Sequence, residues 1–342
     1  MKGLLNILIF TAALFATSAL ISSRQPPPPV PIVQPKLTWL AEHGEQYDTF
    51  YLGSSRTYRQ IIPQLFDSLM TEAGQPTRSF NLGVDGMRPP EDTYLLEQAL
   101  KNRKKPLKYV FVECNAIRVP IDPEKRDTIR TVYWHDWTRT SAVTSAILKP
   151  DFKKKNWRDR GKEWTERWPD LYEHSLLWLR NTTEMGRGGD WLKDRILNRK
   201  TVSLGMHDVG PLRDGFNEVK PPRIMEGVEL ATYETDLAEM LEKPPRVVHA
   251  EPASQRELLY KKQLIEKHGG RMVLVIPPMT QSRCFLPEDN ATAPLVLNFA
   301  DPAKYPELFE ARHRLDSGHV NTLGAELFTR QIVNQMKGLS AK

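Results

Sequence analysis

Short apolar runs alternate with amphipathic stretches over much of the chain. "DTFYLG" (48–53) has the length of a buried strand and stops at a glycine. "TYRQIIPQLFDSLMTEAG" (57–74) follows with helical spacing, closed by Gly74 and weakened by Pro63. "RSFNLGV" (78–84) is a second strand. "PPEDTYLLEQALKNR" (89–103) reads as a helix, with proline and acids where a helix N-terminus prefers them. "KYVFVECN" (108–115) is a third strand. Further on, "SQRELLYKKQLIEKHGG" (254–270) gives a helix and "RMVLVIPP" (271–278) a fourth strand. "PLVLNFADP" (294–302) gives a shorter fifth strand, and "NTLGAELFTRQIVNQMKG" (321–338) an amphipathic last helix. Strands that alternate with helices pair in parallel through right-handed crossovers. The pattern therefore predicts an α/β fold, a three-layer sandwich around a central parallel sheet.

The alternation fails in two places. Residues 3–21, "GLLNILIFTAALFATSALI", carry no charge and follow Lys2, as an export signal does. The run approaches the roughly 20 residues that cross a bilayer. Ala16-Thr17-Ser18 offers small residues for cleavage, but an uncleaved signal anchor over 1–23 is the favoured reading. Lys2 would then stay in the cytoplasm, and the rest would sit on the periplasmic or other extracytoplasmic face of the inner membrane. "RQPPPPVPIVQP" opens a proline-rich linker over 24–36, a semi-rigid polyproline spacer. The second failure spans 116–250, a mostly helical insertion between the two parts of the sandwich, 37–115 and 251–342. Seven of the eight tryptophans lie there, from Trp134 to Trp191, around the charged stretch "KPDFKKKNWRDRGKEWTERW". Exposed, they would stack on sugar rings. The near-helical spacing of Trp164, Trp168 and Trp178 favours a small core instead.

Composition narrows the function. With 40% hydrophobic and 26% charged residues the chain is globular, and its formal net charge of +6 is mild for 342 residues. Neither a nucleic-acid signature nor a zinc-finger, Walker or dinucleotide fingerprint is present, so no cofactor is expected. "WHD" (134–136) and "MHD" (206–208) lack a partner at i+4 and a third ligand, so no metal site is predicted. Cys114 and Cys284 read as buried thiols rather than a bridge.

Ligands of an open parallel sheet sit beyond the carboxyl ends of its strands. Here the first strand ends in Gly53-Ser54-Ser55, the second in "NLGVDGM" with Gly83 and Gly86, and the third in Glu113-Cys114-Asn115. Near the C-terminus, "LDSGHVNTLGAELF" supplies Asp316 and His319. A serine hydroxyl needs a base to become a nucleophile, and an aspartate can fix the tautomer of that base. A serine of Gly53-Ser54-Ser55, with His319 and Asp316, could fill these three roles. The N–H groups of Ser55 and Gly86 and the amide of Asn115 stand where an oxyanion needs donors. A plainer reading makes Gly-Ser-Ser a turn in which Ser54 or Ser55 caps a helix, with Asp316 capping the last helix. Asn321 reads best as that last cap. Arg56 either binds a substrate anion or pairs with Asp85. Arg56, Asp85, Trp134 and Trp137 are the weaker candidates for substrate contact.

These blocks resemble a known family. "YLGSSR" looks like the first block of the SGNH (GDSL-like) hydrolases, "NLGVDGM" their glycine block and "DSGHVNTLGAELF" their terminal D-x-x-H block. The resemblance covers 48–115 and 271–338 but not the insertion. It implies a flavodoxin-like sandwich, Ser55 as nucleophile, His319 as base, Asp316 as orienter, and Gly86 with Asn115 as oxyanion donors. The family's third block is usually G-x-N-D, whereas this chain has Glu113 and Ala116 in place of the glycine and the acid. Exported members that begin Gly-Ser-Ser-Arg resemble proteins of cell-surface polysaccharide O-acylation. The resemblance thus implies an O-acyltransferase or acyl esterase acting on a cell-envelope glycan beside a membrane-bound O-acyltransferase. The rival is a non-catalytic glycan-binding or scaffolding protein that keeps the fold, with Glu113 and Ala116 as marks of decay.

Overall fold

The apolar runs become strands at nearly the places their lengths set. The computed structural model describes residues 2–24, 30–148, 157–184, 206–218, 224–243, 246–280, 283–286 and 293–340. The strands are β1 (Thr49–Leu52), β2 (Ser79–Asn81), β3 (Tyr109–Glu113), β4 (Arg246–His249), β5 (Arg271–Ile276), β6 (Arg283–Leu286) and β7 (Leu295–Asn298). Five of them form one all-parallel sheet in the order β2-β1-β3-β5-β7. Counted within the sheet this is 2-1-3-4-5, the doubly wound order. Tyr51 stands beside Asn81 on one side and Phe111 on the other, and Phe111 beside Val273. Both faces are covered, which is why the strands read as continuous apolar runs rather than alternating ones.

Two helix pairs make the outer layers. α4 (Pro63–Glu72) and α12 (Thr322–Ser340) pack together over one face, where Tyr51, Phe66, Phe111, Val273, Phe328 and Ile332 are buried in a single cluster with Leu308 and Phe309 of the one-turn α11 (Pro306–Phe309). α5 (Glu91–Leu100) and α10 (Pro252–Lys267) pack together, with α10 against β5. A buried ion pair, Lys261 Nζ to Asp92 Oδ2 at 2.7 Å, joins them. The predicted helix 57–74 is in fact two. α3 (Ser55–Tyr58) is one turn, and Pro63 starts α4 instead of interrupting it. Proline lacks an N–H and suits a first turn. The N–H of Ile62, just before it, donates to the Thr329 hydroxyl of α12 at 3.1 Å.

The chain divides into two compact units, 1–34 with 118–205, and 35–117 with 206–342. The expected insertion, 116–250, is therefore split. Its second part, from 206, belongs with the sheet: Asp214 O accepts the Asn81 N–H at 2.7 Å, and α9 (Gly227–Glu242) adds Met240 to the core cluster. β4 and β6 make a separate parallel pair absent from the sequence reading. The expected linker also shortens. Val33–His43 is helix α2, and Lys36 within it is fully buried; residues 25–29 lie outside the described ones.

The first unit holds α1 (Lys2–Arg24), α6 (Ile129–Tyr133), α7 (Trp137–Leu148) and α8 (Trp157–Thr182). Residues 2–23 of α1 are long and apolar enough to cross a membrane, with a mean hydropathy of 2.2. Ser18 donates to Thr182 O at 2.8 Å, so α1 touches the end of α8. Val143, Ile147 and Leu177 fill the interior of the helical part, and His135 Nε2 faces His174 Nδ1 at 2.8 Å. Three tryptophans stand outside the expected core, while Trp134 and Trp178 are half-buried. Trp137 is 70% exposed and Trp168 63%, and Trp164 is exposed too. The inward face of α8 is carried by His174 and Leu177, offset from the tryptophan stripe. The side chain of Trp157 and all of Trp191 lie outside the described residues.

Candidate active site

β1 and β3 are neighbours, so the segments that leave their carboxyl ends start side by side. β1 runs into Gly53-Ser54-Ser55, and β3 ends on Glu113. A Cβ at position 53 would lie 2.2 Å from Thr57 Oγ1 and 2.5 Å from Glu113 Oε2, so glycine is what admits the acid. Glu113 accepts the Ser54 N–H (2.7 Å), the Ser54 hydroxyl (2.8 Å), the Thr57 hydroxyl (3.2 Å) and Arg56 Nε (2.7 Å). Arg56 Nη2 also lies 2.7 Å from it. Burial alone would raise the Glu113 carboxyl. The Arg56 charge and hydrogen bonds from Ser54 and Asn115 outweigh burial and hold it below its usual range.

The two serines divide the work. Ser54 caps α3, its hydroxyl accepting the Arg56 N–H at 3.3 Å. Ser55 is left with its hydroxyl 2.7 Å from His319 Nε2. His319 Nδ1 lies 3.0 Å from each oxygen of Asp316. With Nδ1–H given to Asp316, Nε2 is the acceptor for the serine proton. Burial would raise the Asp316 carboxyl, but hydrogen bonding and charge from His319 and the Gly318 N–H hold it low. Asp316 is therefore engaged with the imidazole and does not cap the last helix. Asn321 does: its Oδ1 accepts the Gly324 N–H at 3.1 Å.

Of the other expected oxyanion groups, the Ser55 N–H lies in the first turn of α3, where N–H groups have no acceptor inside the helix. Gly86 has φ +69°, a conformation that favours glycine. Its loop is stitched to the Ser55 turn by the Val84 N–H, which donates to Gly53 O at 3.0 Å. Asn115 is buried, and its Oδ1 accepts Arg56 Nη2 at 3.3 Å. That contact leaves its NH₂ group as the donor end.

One expectation is corrected: Arg56 does not pair with Asp85. It is buried between Glu113, Asn115 Oδ1 and the Met279 sulfur, with Nη1 2.8 Å from Met279 Sδ. The partner of Asp85 is Arg59, which bonds both carboxylate oxygens, at 2.7 and 3.1 Å. Trp134 stacks on His135 with ring centres 3.7 Å apart, and Trp137 meets Trp178 edge-on. Among the described residues no group of three His, Cys, Asp or Glu side chains could hold a metal ion. Cys114 is buried outside any disulfide, and the Cys284 side chain lies outside the described residues.

Three supports had no signal in the sequence beyond a polar residue in an apolar setting. Asn81, at the end of β2, donates to Thr57 O (2.8 Å) and Ile61 O (2.9 Å) and accepts the Gly83 N–H (2.8 Å). Lys36 Nζ donates to the carbonyls of Asn81 (2.8 Å), Gly83 (2.6 Å) and Gly215 (2.8 Å). Arg314, fully buried, reaches Pro278 O (3.0 Å) beyond β5 and Ser317 O (2.9 Å), fixing the Asp316–His319 loop to the sheet. Comparison with protein-family models, curated proteins and solved structures gives no match.

Proposed function

We propose that this protein is an exported serine acyl-transfer enzyme of SGNH type, acting on ester groups of a cell-envelope glycan. The observation that carries the reading is the unbroken line from Ser55 Oγ through His319 to Asp316, with contacts of 2.7 and 3.0 Å. Ser55 Oγ attacks the acyl carbonyl while His319 Nε2 takes its proton. The negative oxygen is received by the N–H groups of Ser55 and Gly86 and by the Asn115 amide. His319 then protonates the departing alcohol, leaving an acyl ester on Ser55. An incoming hydroxyl, from water or a sugar, gives its proton to His319, takes the acyl group and frees Ser55. Asp316 holds the imidazole in the required tautomer and steadies its positive charge.

Glu113 fits this reading as a strut. Its carboxylate is fully occupied by Ser54, Thr57 and Arg56, so it braces the nucleophile turn instead of opposing the oxyanion. An N-terminal anchor with the sandwich on the extracytoplasmic face would place the site among envelope polymers, where a membrane O-acyltransferase is a natural acyl donor. The test is labelling with a serine-reactive fluorophosphonate, together with release of a small acetyl ester. We expect labelling at Ser55, lost in Ser55→Ala together with turnover. No labelling, and equal ester release by the two proteins, would favour the glycan-binding alternative.

A further inference from the structure

We propose that the exposed aromatic face of α7 and α8 lies in the outer interface of the lipid bilayer, as a second membrane contact beside α1. Trp168, Tyr172, Leu176 and Leu179 follow one another at i, i+4, i+8 and i+11, so they share one face of α8. Their exposures are 63, 65, 41 and 36%. Across from them on α7 stands Trp137, 70% exposed. Between the helices runs an open groove of about 710 Å³, lined by Trp137, Leu148, Leu171, Tyr172, Leu176 and Trp178 among others. An apolar face of this extent on water is costly and marks a docking site.

The occupant follows from what the face adjoins. Its end is fastened to α1 by the Ser18–Thr182 hydrogen bond. Ser18 stands six residues before the end of α1 at Arg24, about 9 Å along the axis at 1.5 Å per residue. α1 is about 35 Å long by the same rise, a little more than the roughly 30 Å hydrocarbon core. With α1 centred on that core its end overhangs by about 2 Å, so Ser18 lies about 7 Å below the headgroup boundary, within the roughly 5–10 Å at which in-plane amphipathic helices are buried. The exposed residues are the types that collect there, tryptophan and tyrosine with leucine. The rest of α8 carries charge, including Arg158, Lys162, Glu166 and Arg180, as an in-plane amphipathic helix does. The groove is apolar and open, a shape that receives lipid tails.

The inference rests on α1 spanning the bilayer and is independent of the chemistry at Ser55. The full chain is reconstituted into phosphatidylcholine vesicles whose acyl chains carry bromine near the headgroup, and tryptophan fluorescence is compared with unbrominated vesicles. Flotation with the vesicles reports α1; quenching reports the face. Wild type should be quenched, and Trp137→Phe/Trp168→Phe should lose most of that quenching at unchanged helicity. Adding Tyr172→Trp should restore it. Equal fractional quenching in wild type and the double variant would overturn the proposal. So would a wild-type chain that stays open to acrylamide on the vesicles, which would leave the face for another membrane protein. A dimer in nanodiscs that Trp168→Glu dissociates, with no lipid quenching, would assign the face to a second copy and equally overturn it. A chain that fails to float overturns the anchor and this inference together.

Discussion

Removing the Glu113 carboxylate probes the least expected part of the site. The side chains of Glu113 and Arg56 are 2 and 8% exposed and 2.7 Å apart. Deleting one member of such a buried pair costs about 3–5 kcal/mol, because the other charge is left without compensation. Glu113→Ala also orphans the Ser54 N–H, which otherwise donates at 2.7 Å; a lost buried partner costs about 1–3 kcal/mol. The two costs overlap, since both relax when the turn shifts or water enters, so we expect about 4 kcal/mol in total. Glu113→Gln keeps one acceptor for Arg56 but turns an NH₂ toward donors, and should cost about 2 kcal/mol. Replacing both members, Glu113→Leu with Arg56→Met, removes the unpaired charge and should recover at least about 2 kcal/mol relative to the sum of the singles. The assay is denaturant unfolding of the full chain in mild detergent, with hydrogen exchange read at β1 and α3. Ester turnover should fall about 100-fold in Glu113→Gln, the scale expected when a nucleophile is displaced by about 1 Å. A Glu113→Ala cost below about 1 kcal/mol, or additive singles, would refute the strut.

Three other outcomes are expected. Asp316→Asn should leave the fold intact but lower kcat about 10⁴-fold, because the amide selects the wrong imidazole tautomer; single-turnover kinetics on an activated ester measure this. Lys36→Met keeps much of the volume but strips donors from the carbonyls of Asn81, Gly83 and Gly215, and should lower stability by about 2–4 kcal/mol in a thermal melt. His135 is pushed down to about 3 by burial and by the neighbouring His174, itself lowered by burial. An unfolded histidine takes its proton near 6.5, so the unfolded state binds more protons between about 6.5 and 3, and stability should fall as pH drops through that window, by up to about 1.4 kcal/mol per pH unit. Asp214, raised to about 6 by burial in the other unit, works in the opposite sense, losing stability as pH rises. Comparing unfolding of wild type and His135→Asn from pH 7 to pH 5 isolates the histidine, and equal slopes would contradict its buried neutral state.

The sheet was legible because both its faces are buried, so every strand shows as an apolar run in the sequence. Ser55, Asp316 and His319 could be read because the topology sends the ends of β1 and the last loop to one edge. The bracing was not legible, for a physical reason. Lys36, Asn81 and Arg314 act on backbone carbonyls, which carry no residue-type signal, across separations as large as 179 residues. The partners of Arg56 are not legible either: Glu113 ends β3 and Asn115 follows it, a segment brought alongside only by strand pairing, while Asp85 is equally suitable by charge. The tryptophan stripe misled because helical spacing gives the period of a face without saying what the face meets. On α8 the interior is taken by His174 and Leu177, and the aromatic side is left outward.

The fit of Gly53 against Glu113 ties two distant positions into one hereditary unit. A side chain at 53 would occupy the space where the carboxylate now sits. A descendant lineage that keeps the acid is thereby bound to keep the glycine. One that exchanges the acid for a smaller residue must find another clamp for Arg56, and still gains no freedom at 53 while Thr57 keeps its hydroxyl against that position. Among descendants of this sequence the glycine should therefore outlast the acid, and change only where 57 and 113 have both changed.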